Sequence, residues 1–391
     1  MSRPAVYATG LGVISAAGLS CADTLEWFRM GRCRPGSATV FETSIAKPVF
    51  EVPGLRCSGK FPEMRTLHLA FRAVEEALAD ARFDGRSLCS RVGVSLGTTV
   101  ASQLNDLEFY RAYRTCGHAP IDAADRYMRG NLSAAVALRY GFSGPTATVV
   151  NACSSGTDAI GIALAWLREG LCDMAIAGGA DELSRIPMDG FNALGIMSDA
   201  PCAPFDRDRH GLTLGEGAGM LFLETAESAS RRGVAATITC EGYGTCGDAH
   251  HLTAPREDGS GLEAAIRQAL REAGLEPGDI GFVNAHGTAT PTNDAIEGAT
   301  LARVFGEDCL VSATKGYTGH TLGAAGGIEA VFTALALREG WIPASAGFVH
   351  RDPAIPLAPV DRLTPVGKGH ALSTSLAFGG NNSALVFGGR A

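Results

Sequence analysis

A β-branched, apolar run from Thr146 to Ala152 leads straight into Cys153-Ser-Ser-Gly-Thr-Asp158, and a helical pattern then continues through Glu169 to a glycine stop at Gly170. A cysteine at a strand-to-helix turn faces unpaired backbone amides and the positive end of the helix dipole, which lowers its thiol pKa and favours the thiolate. That is a nucleophile's position. A small buried hydrophobe is the commoner fate of a cysteine, and this motif alone leaves both open. Further along, Val283-Asn-Ala-His-Gly-Thr-Ala-Thr-Pro291 sets His286 at a strand end, in a turn rich in glycine and hydroxyls. The segment from Ser312 to Glu329 repeats the arrangement with Lys315 and His320. One thiol and two imidazoles at strand ends suggest acyl chemistry through a covalent thioester.

Three other signals compete. Gly242-Tyr-Gly-Thr-Cys-Gly247 fits the dinucleotide fingerprint, but Asp248, His250, His251, Pro255 and Gly259 follow it where a phosphate-binding helix should open. Gly93-Val-Ser-Leu-Gly97 matches the serine-hydrolase elbow, yet Ser95 falls inside the apolar run and the turn residues come after it. A Ser95 hydrolase stands as the alternative of a different class. The pair His250-His251 offers metal ligands without an HxxxH or Cys/His cluster around it, so solvated loop histidines are the better account and no metal is expected.

The elements that must position these residues alternate between strand and helix. Arg91 to Leu96, Ala147 to Ala152, Met174 to Ala177, Ala236 to Glu241, Ile280 to Ala285 and Cys309 to Ala313 have strand character. Glu63 to Ala81, Ala159 to Glu169, Gly261 to Ala273 and Gly327 to Arg338 have helical patterns. The alternation predicts an α/β fold with largely buried sheets. A chain of 391 residues is too long for a single core, and the polar stretch Glu227 to Gly233 is the expected seam between two halves, 1–235 and 236–391.

Composition sets the outer limits. The chain is 46% hydrophobic and only 19% charged, which excludes disorder and coiled coil. A net charge of −8 argues against a nucleic-acid function. No apolar run reaches the roughly 18 residues that span a bilayer, so no membrane insertion is expected. Eleven cysteines without a CxxC pair or regular spacing read as reduced thiols, and Ala5 to Thr9 reads as a first strand rather than part of a signal peptide; both point to the cytoplasm.

Taken in order, Ala8-Thr-Gly-Leu-Gly-Val, Asn151-Ala-Cys-Ser-Ser-Gly, Pro204-Phe-Asp-Arg-Asp-Arg-His-Gly-Leu, Gly215-Glu-Gly-Ala-Gly, His286-Gly-Thr-Ala-Thr-Pro, Lys315-Gly-Tyr-Thr-Gly-His-Thr-Leu-Gly-Ala-Ala-Gly and Phe378-Gly-Gly-Asn-Asn span essentially the whole chain. In these motifs the sequence resembles the elongating β-ketoacyl-acyl-carrier-protein synthases of the thiolase superfamily. The resemblance implies a thiolase-like fold of two similar α/β halves in five layers, αβαβα. It implies decarboxylative condensation of an acyl-enzyme thioester with malonyl-acyl-carrier protein, lengthening a fatty-acid, polyketide or polyene chain by two carbons. Cys153 would accept the acyl group, with His286 and His320 serving decarboxylation and condensation, and Lys315 and Glu329 as a buried pair beside His320. The backbone amides of Cys153 and Phe378 would form the oxyanion hole. Thr288 and Thr290 would line the phosphopantetheine tunnel, and Phe378 with Leu376 would gate the acyl pocket. No cofactor is implied beyond the phosphopantetheine of the carrier protein.

The pattern departs from the family near the C-terminus, where Leu376 and Ala377 replace a phenylalanine and a glycine and Asn381 stands where threonine is common. These changes alter the wall of the acyl channel and leave chain-length preference open. They are similar to those of discrete secondary-metabolic synthases, including polyene pathways, so the implied partner is either a second copy or a chain-length-factor-like subunit, with this chain the active member. Carrier proteins are acidic, and the family's positions for a basic docking patch fall on Lys60, Arg65, Arg126 and Arg129. A thiolase or a priming-type synthase is the alternative within the fold.

Overall fold

The computed structural model describes residues 4–55, 64–84, 91–99, 104–122, 131–367 and 369–389. Its strands are β1 (Val6–Ser15), β2 (Val49–Phe50), β3 (Val92–Gly97), β4 (Thr146–Val149), β5 (Met174–Asp181), β6 (Leu214–Gly215) and β7 (Gly217–Thr225). They continue as β8 (Ile238–Gly247), β9 (Ile280–Asn284), β10 (Val311–Ser312), β11 (Trp341–Ile342), β12 (Thr364–Pro365), β13 (His370–Ala377) and β14 (Asn381–Gly389). Ten of them hydrogen-bond in the order β10-β9-β13-β14-β8-β1-β7-β5-β3-β4. The join between halves is narrow: Val6 and Tyr7 of β1 face Cys240 and Thr239 of β8.

On each side of that join the same pairings repeat. In the first half β3 is parallel to β4 and to β5, then β5–β7 and β7–β1 are antiparallel. In the second half β9 is parallel to β10 and to β13, then β13–β14 and β14–β8 are antiparallel.

Helices Ser155–Arg168 and Ala325–Glu339 lie between the two half-sheets, while Arg65–Asp80 covers β1 and β7 and Ser260–Ala273 covers β8 and β14. The layers therefore run helix, sheet, helix, sheet, helix, the thiolase-like arrangement. Residues Ala325 to Leu337 are all buried, as a helix sandwiched between two sheets requires. The inner helices touch closely enough that a Cβ on Gly156 would lie 2.6 Å from the Gly327 nitrogen.

Two segments differ from their sequence appearance. The polar stretch before β8 is a capped helix, Ala226–Arg232, with Thr225 accepting from the Ser228 N–H and Gly233 closing it at φ 66°. The Gly242–Gly247 motif lies wholly inside β8, which runs past the expected end at Glu241. Helix Ser260–Ala273 crosses it so closely that a Cβ on Gly244 would stand 2.0 Å from the Ala265 carbonyl oxygen, so this glycine answers to packing.

Candidate active site

Cys153 follows the end of β4 by four residues and precedes the helix that starts at Ser155. Ala152 reverses the chain between them at φ 49°, a left-handed backbone that aims the next side chain inward. Cys153 Sγ lies 3.0 Å from His320 Nε2, and the Phe378 backbone amide acts on the same thiol by favouring its charged form. Here the structure corrects the sequence argument about acidity. Cys153 is only 6% exposed, and burial pushes its thiol up to about 11, outweighing the lowering by Lys315 and the Phe378 amide.

His286 caps β9, and its backbone is held from helix Pro291–Phe305: Glu297 accepts the His286 N–H at 2.7 Å and the Gly287 N–H at 2.8 Å. Lys315, in the short helix Lys315–Thr318, forms a very short contact with Glu329 and donates to the His286 carbonyl oxygen at 2.6 Å. Its Nζ is also 3.1 Å from His286 Nδ1. An ammonium has only donors, so Nδ1 accepts and the imidazole proton sits on Nε2. The two imidazole rings meet edge to face, 5.2 Å between centres. Burial, with Lys315 adding positive charge nearby, holds both histidines well below the ordinary histidine range. Burial raises Glu329 to about 7 against the pull of Lys315.

A cavity of about 300 Å³ opens onto Cys153, His286 and His320. Thr288 and Thr290 line it with their hydroxyl oxygens 3.0 Å apart, and Leu376 and Phe378 form another wall. The Phe378 ring rests against Phe191, 5.4 Å between centres. The site thus offers a thiol, an imidazole acceptor for its proton, a second imidazole with a defined donor, and backbone N–H at the sulfur. That set can form a thioester and stabilise charge on a thioester oxygen.

Other candidates fall elsewhere. Arg65 is not a surface cation: it is 8% exposed and its Nε donates at 2.8 Å to the fully buried Glu216, which removes it from any docking patch. Lys60, Arg126 and Arg129 lie outside the described residues. Ser95 is fully buried within β3, its Oγ without a hydrogen-bond partner. His250 and His251 are exposed, and His251 Nδ1 accepts the Thr253 and Ala254 N–H groups at 3.1 Å in a local turn.

Glu297 and Asp294 were missed by sequence reasoning, although a signal was present. They share the buried stripe of their helix with Leu301 and Val304 at helical spacing, and carboxylates on a core-facing stripe imply fixed partners.

This fold with a thiol and paired imidazoles defines a condensing enzyme of the thiolase type. The chain belongs to the β-ketoacyl synthase family: residues 64–229 match the Beta-ketoacyl synthase, N-terminal domain and residues 237–349 the Beta-ketoacyl synthase, C-terminal domain. It is 35% identical to 3-oxoacyl-[acyl-carrier-protein] synthase 2 of Staphylococcus aureus over 83% of each chain. Among solved structures, the ishigamide ketosynthase/chain length factor superposes with a TM-score of 0.94 at 33% identity, covering 100% of both chains. A ketosynthase in complex with its chain length factor from Xenorhabdus doucetiae gives 0.85 at 30% identity, covering 99% of this chain and 98% of that one. The protein is an acyltransferase that extends an acyl chain by two carbons through decarboxylative condensation.

Proposed function

We propose that Cys153 is the acyl-accepting nucleophile of this condensation, with 1–235 the half that carries it and 236–391 the half that carries the imidazoles. The observation that carries this is the 3.0 Å contact of Cys153 Sγ with His320 Nε2 in the cavity that Phe378 also lines. In the first half-reaction Sγ bonds to the thioester carbonyl carbon as its proton passes to His320 Nε2. The carbonyl oxygen, negative in the tetrahedral intermediate, is held by the Phe378 and Cys153 amides. The carrier thiolate leaves and takes the proton back from His320.

In the second half-reaction a malonyl thioester loses carbon dioxide, and the electron pair of the broken C–C bond flows to the thioester oxygen. His286 Nε2–H donates to that enolate oxygen. His320 Nδ1 is buried without a partner, so no neighbour fixes its tautomer, and Nε2 serves as the second donor once Cys153 is acylated. The enolate carbon then attacks the acyl-Cys153 carbonyl, the C–S bond breaks, and the released thiolate takes up one proton from solvent, the proton that the overall decarboxylative condensation consumes. Decarboxylation itself generates the carbanion, so the cycle calls for no nucleotide, metal or flavin.

The substrates arrive on an acyl carrier protein, as the name of the Staphylococcus aureus relative indicates for that enzyme, and are carried there on its phosphopantetheine arm. Thr288 and Thr290, which line the cavity, would bond the pantetheine arm, and Phe378 with Leu376, on the same lining, would gate the acyl pocket. The ketosynthase complexes support pairing with a chain-length-factor-like subunit, the alternative being a second copy. The nine described cysteines are all free, which supports a reducing, cytoplasmic location; among the described residues no helix is long and apolar enough to cross a membrane.

Incubation with acyl-carrier proteins of several chain lengths, followed by peptide mass spectrometry, tests the assignment. The acyl mass is expected on the Cys153 peptide, and Cys153→Ala should abolish condensation. An adduct on any other peptide overturns it. A thiolase would need a second cysteine in the cavity, and among the described residues lining it Cys153 stands alone.

A further inference from the structure

The turn that presents the Phe378 N–H is built on two adjacent glycines, Gly379 and Gly380, at φ 88° and 77°. Left-handed glycines give a backbone little stiffness of its own, so anchors must fix its position. The next residue supplies one that reaches the nucleophile's own segment. Asn381 Nδ2 donates to Asn151 Oδ1 at 2.6 Å, across 230 residues of sequence and between the two halves of the molecule. Asn151 Nδ2 in turn donates at 2.6 Å to Asp158 Oδ2, which also accepts from the Ser154 hydroxyl at 2.8 Å. The other oxygen of Asp158 accepts from Tyr243 at 2.9 Å and, in a very short contact, from Ser383.

The direction of this relay is determined at one end. Asp158, 5% exposed and surrounded by donors, takes the Asn151 amide nitrogen. Asn151 is therefore left presenting its oxygen, and only the nitrogen of Asn381 can meet it. Asn151 stands two residues before Cys153, and Asn381 three residues after Phe378. We infer that Asn381 is a positioning residue for the condensation, locking the Phe378 turn onto the Cys153 turn through Asn151 so that sulfur and oxyanion donor keep one geometry. This rests on Cys153 being the nucleophile.

Single-turnover acylation, steady-state condensation and thermal midpoint, measured together, test the lock. Asn381→Ala should slow Cys153 acylation and lower kcat by about tenfold or more, with KM for malonyl-carrier protein within about twofold and the midpoint little changed. Asn381→Asp has nearly the same shape but places an acceptor against an acceptor, and should be at least as impaired. Asn381→Thr, with a short hydroxyl donor, should recover much of the rate. In the cycle with Asn151→Ala, the double variant should fall no further than the worse single one. Normal rates in Asn381→Asp, or independent losses in the cycle, overturn the inference while acylation of Cys153 in the unaltered enzyme stands. An unaltered enzyme that carries no acyl group on Cys153 overturns the nucleophile assignment and this inference with it. Should Asn381→Ala fail to fold, the contrast between Asp and Thr decides the matter.

Discussion

Lys315 Nζ donates to Nδ1 of His286 at 3.1 Å and to the carbonyl oxygen of the same residue at 2.6 Å, so one ammonium governs both the tautomer of the ring and the placement of its backbone. Glu329 offsets the charge of that ammonium in a site where Lys315 is 1% exposed.

Replacing Lys315 by Met should therefore damage the decarboxylation step. Without the donor, His286 is free to carry its proton on the wrong nitrogen, and a loss in kcat on the order of a hundredfold is expected by analogy with a lost oxyanion donor. The pH profile should also move. Burial first, and the nearby cation second, disfavour imidazolium, so in the unaltered enzyme the acid limb set by His286 and His320 lies well below 6.5. Removing the cation makes protonation easier and shifts that limb upward; kcat measured from pH 5 to 8 shows it.

The resting thiol should alkylate slowly at neutral pH. Burial raises Cys153 to about 11, so its reaction with iodoacetamide should keep accelerating through pH 9 and 10 instead of levelling off near an ordinary thiol value. A plateau below pH 8, followed on the Cys153 peptide by mass spectrometry, would show that the helix mouth wins after all.

Arg65→Ala should destabilise the fold without weakening carrier-protein capture. It strands the carboxylate of Glu216, which is 0% exposed, and breaking a buried pair from one side costs roughly 3–5 kcal/mol. Denaturant titration and the KM for acyl-carrier protein separate the two effects.

Ser95→Ala should leave condensation unchanged and stability equal or slightly higher, because the hydroxyl it removes is buried without a partner. Loss of activity with normal thermal stability would revive a role for Ser95.

Gly244→Ala should cost about 1–3 kcal/mol or more by overpacking β8 against helix Ser260–Ala273. Thermal denaturation measures it, and a neutral outcome would deny the close approach.

Local order along the chain was enough to place Cys153 between a β-branched strand and a helix, and His286 just past a strand end, because these positions depend on neighbours within one turn or one strand; His320, expected at a strand end too, instead follows the helical turn Lys315–Thr318, well beyond β10. The hairpin of β13 and β14 escaped notice because it is buried on both faces, which erases the alternation that marks a half-exposed strand. Burial itself was illegible: Arg65 looked like a solvated cation, and Cys153 like an acidified thiol, until segments far away in sequence closed over them. The same holds for the pairing of Asn381 with Asn151, whereas the meeting of Cys153 with the two imidazoles was implied by the family resemblance, though by no local pattern. Residue types and spacing determined which groups are available for chemistry; which of them meet, and how acidic they are once water is excluded, was decided only when the two halves packed together, since desolvation and cross-half hydrogen bonds belong to no single segment.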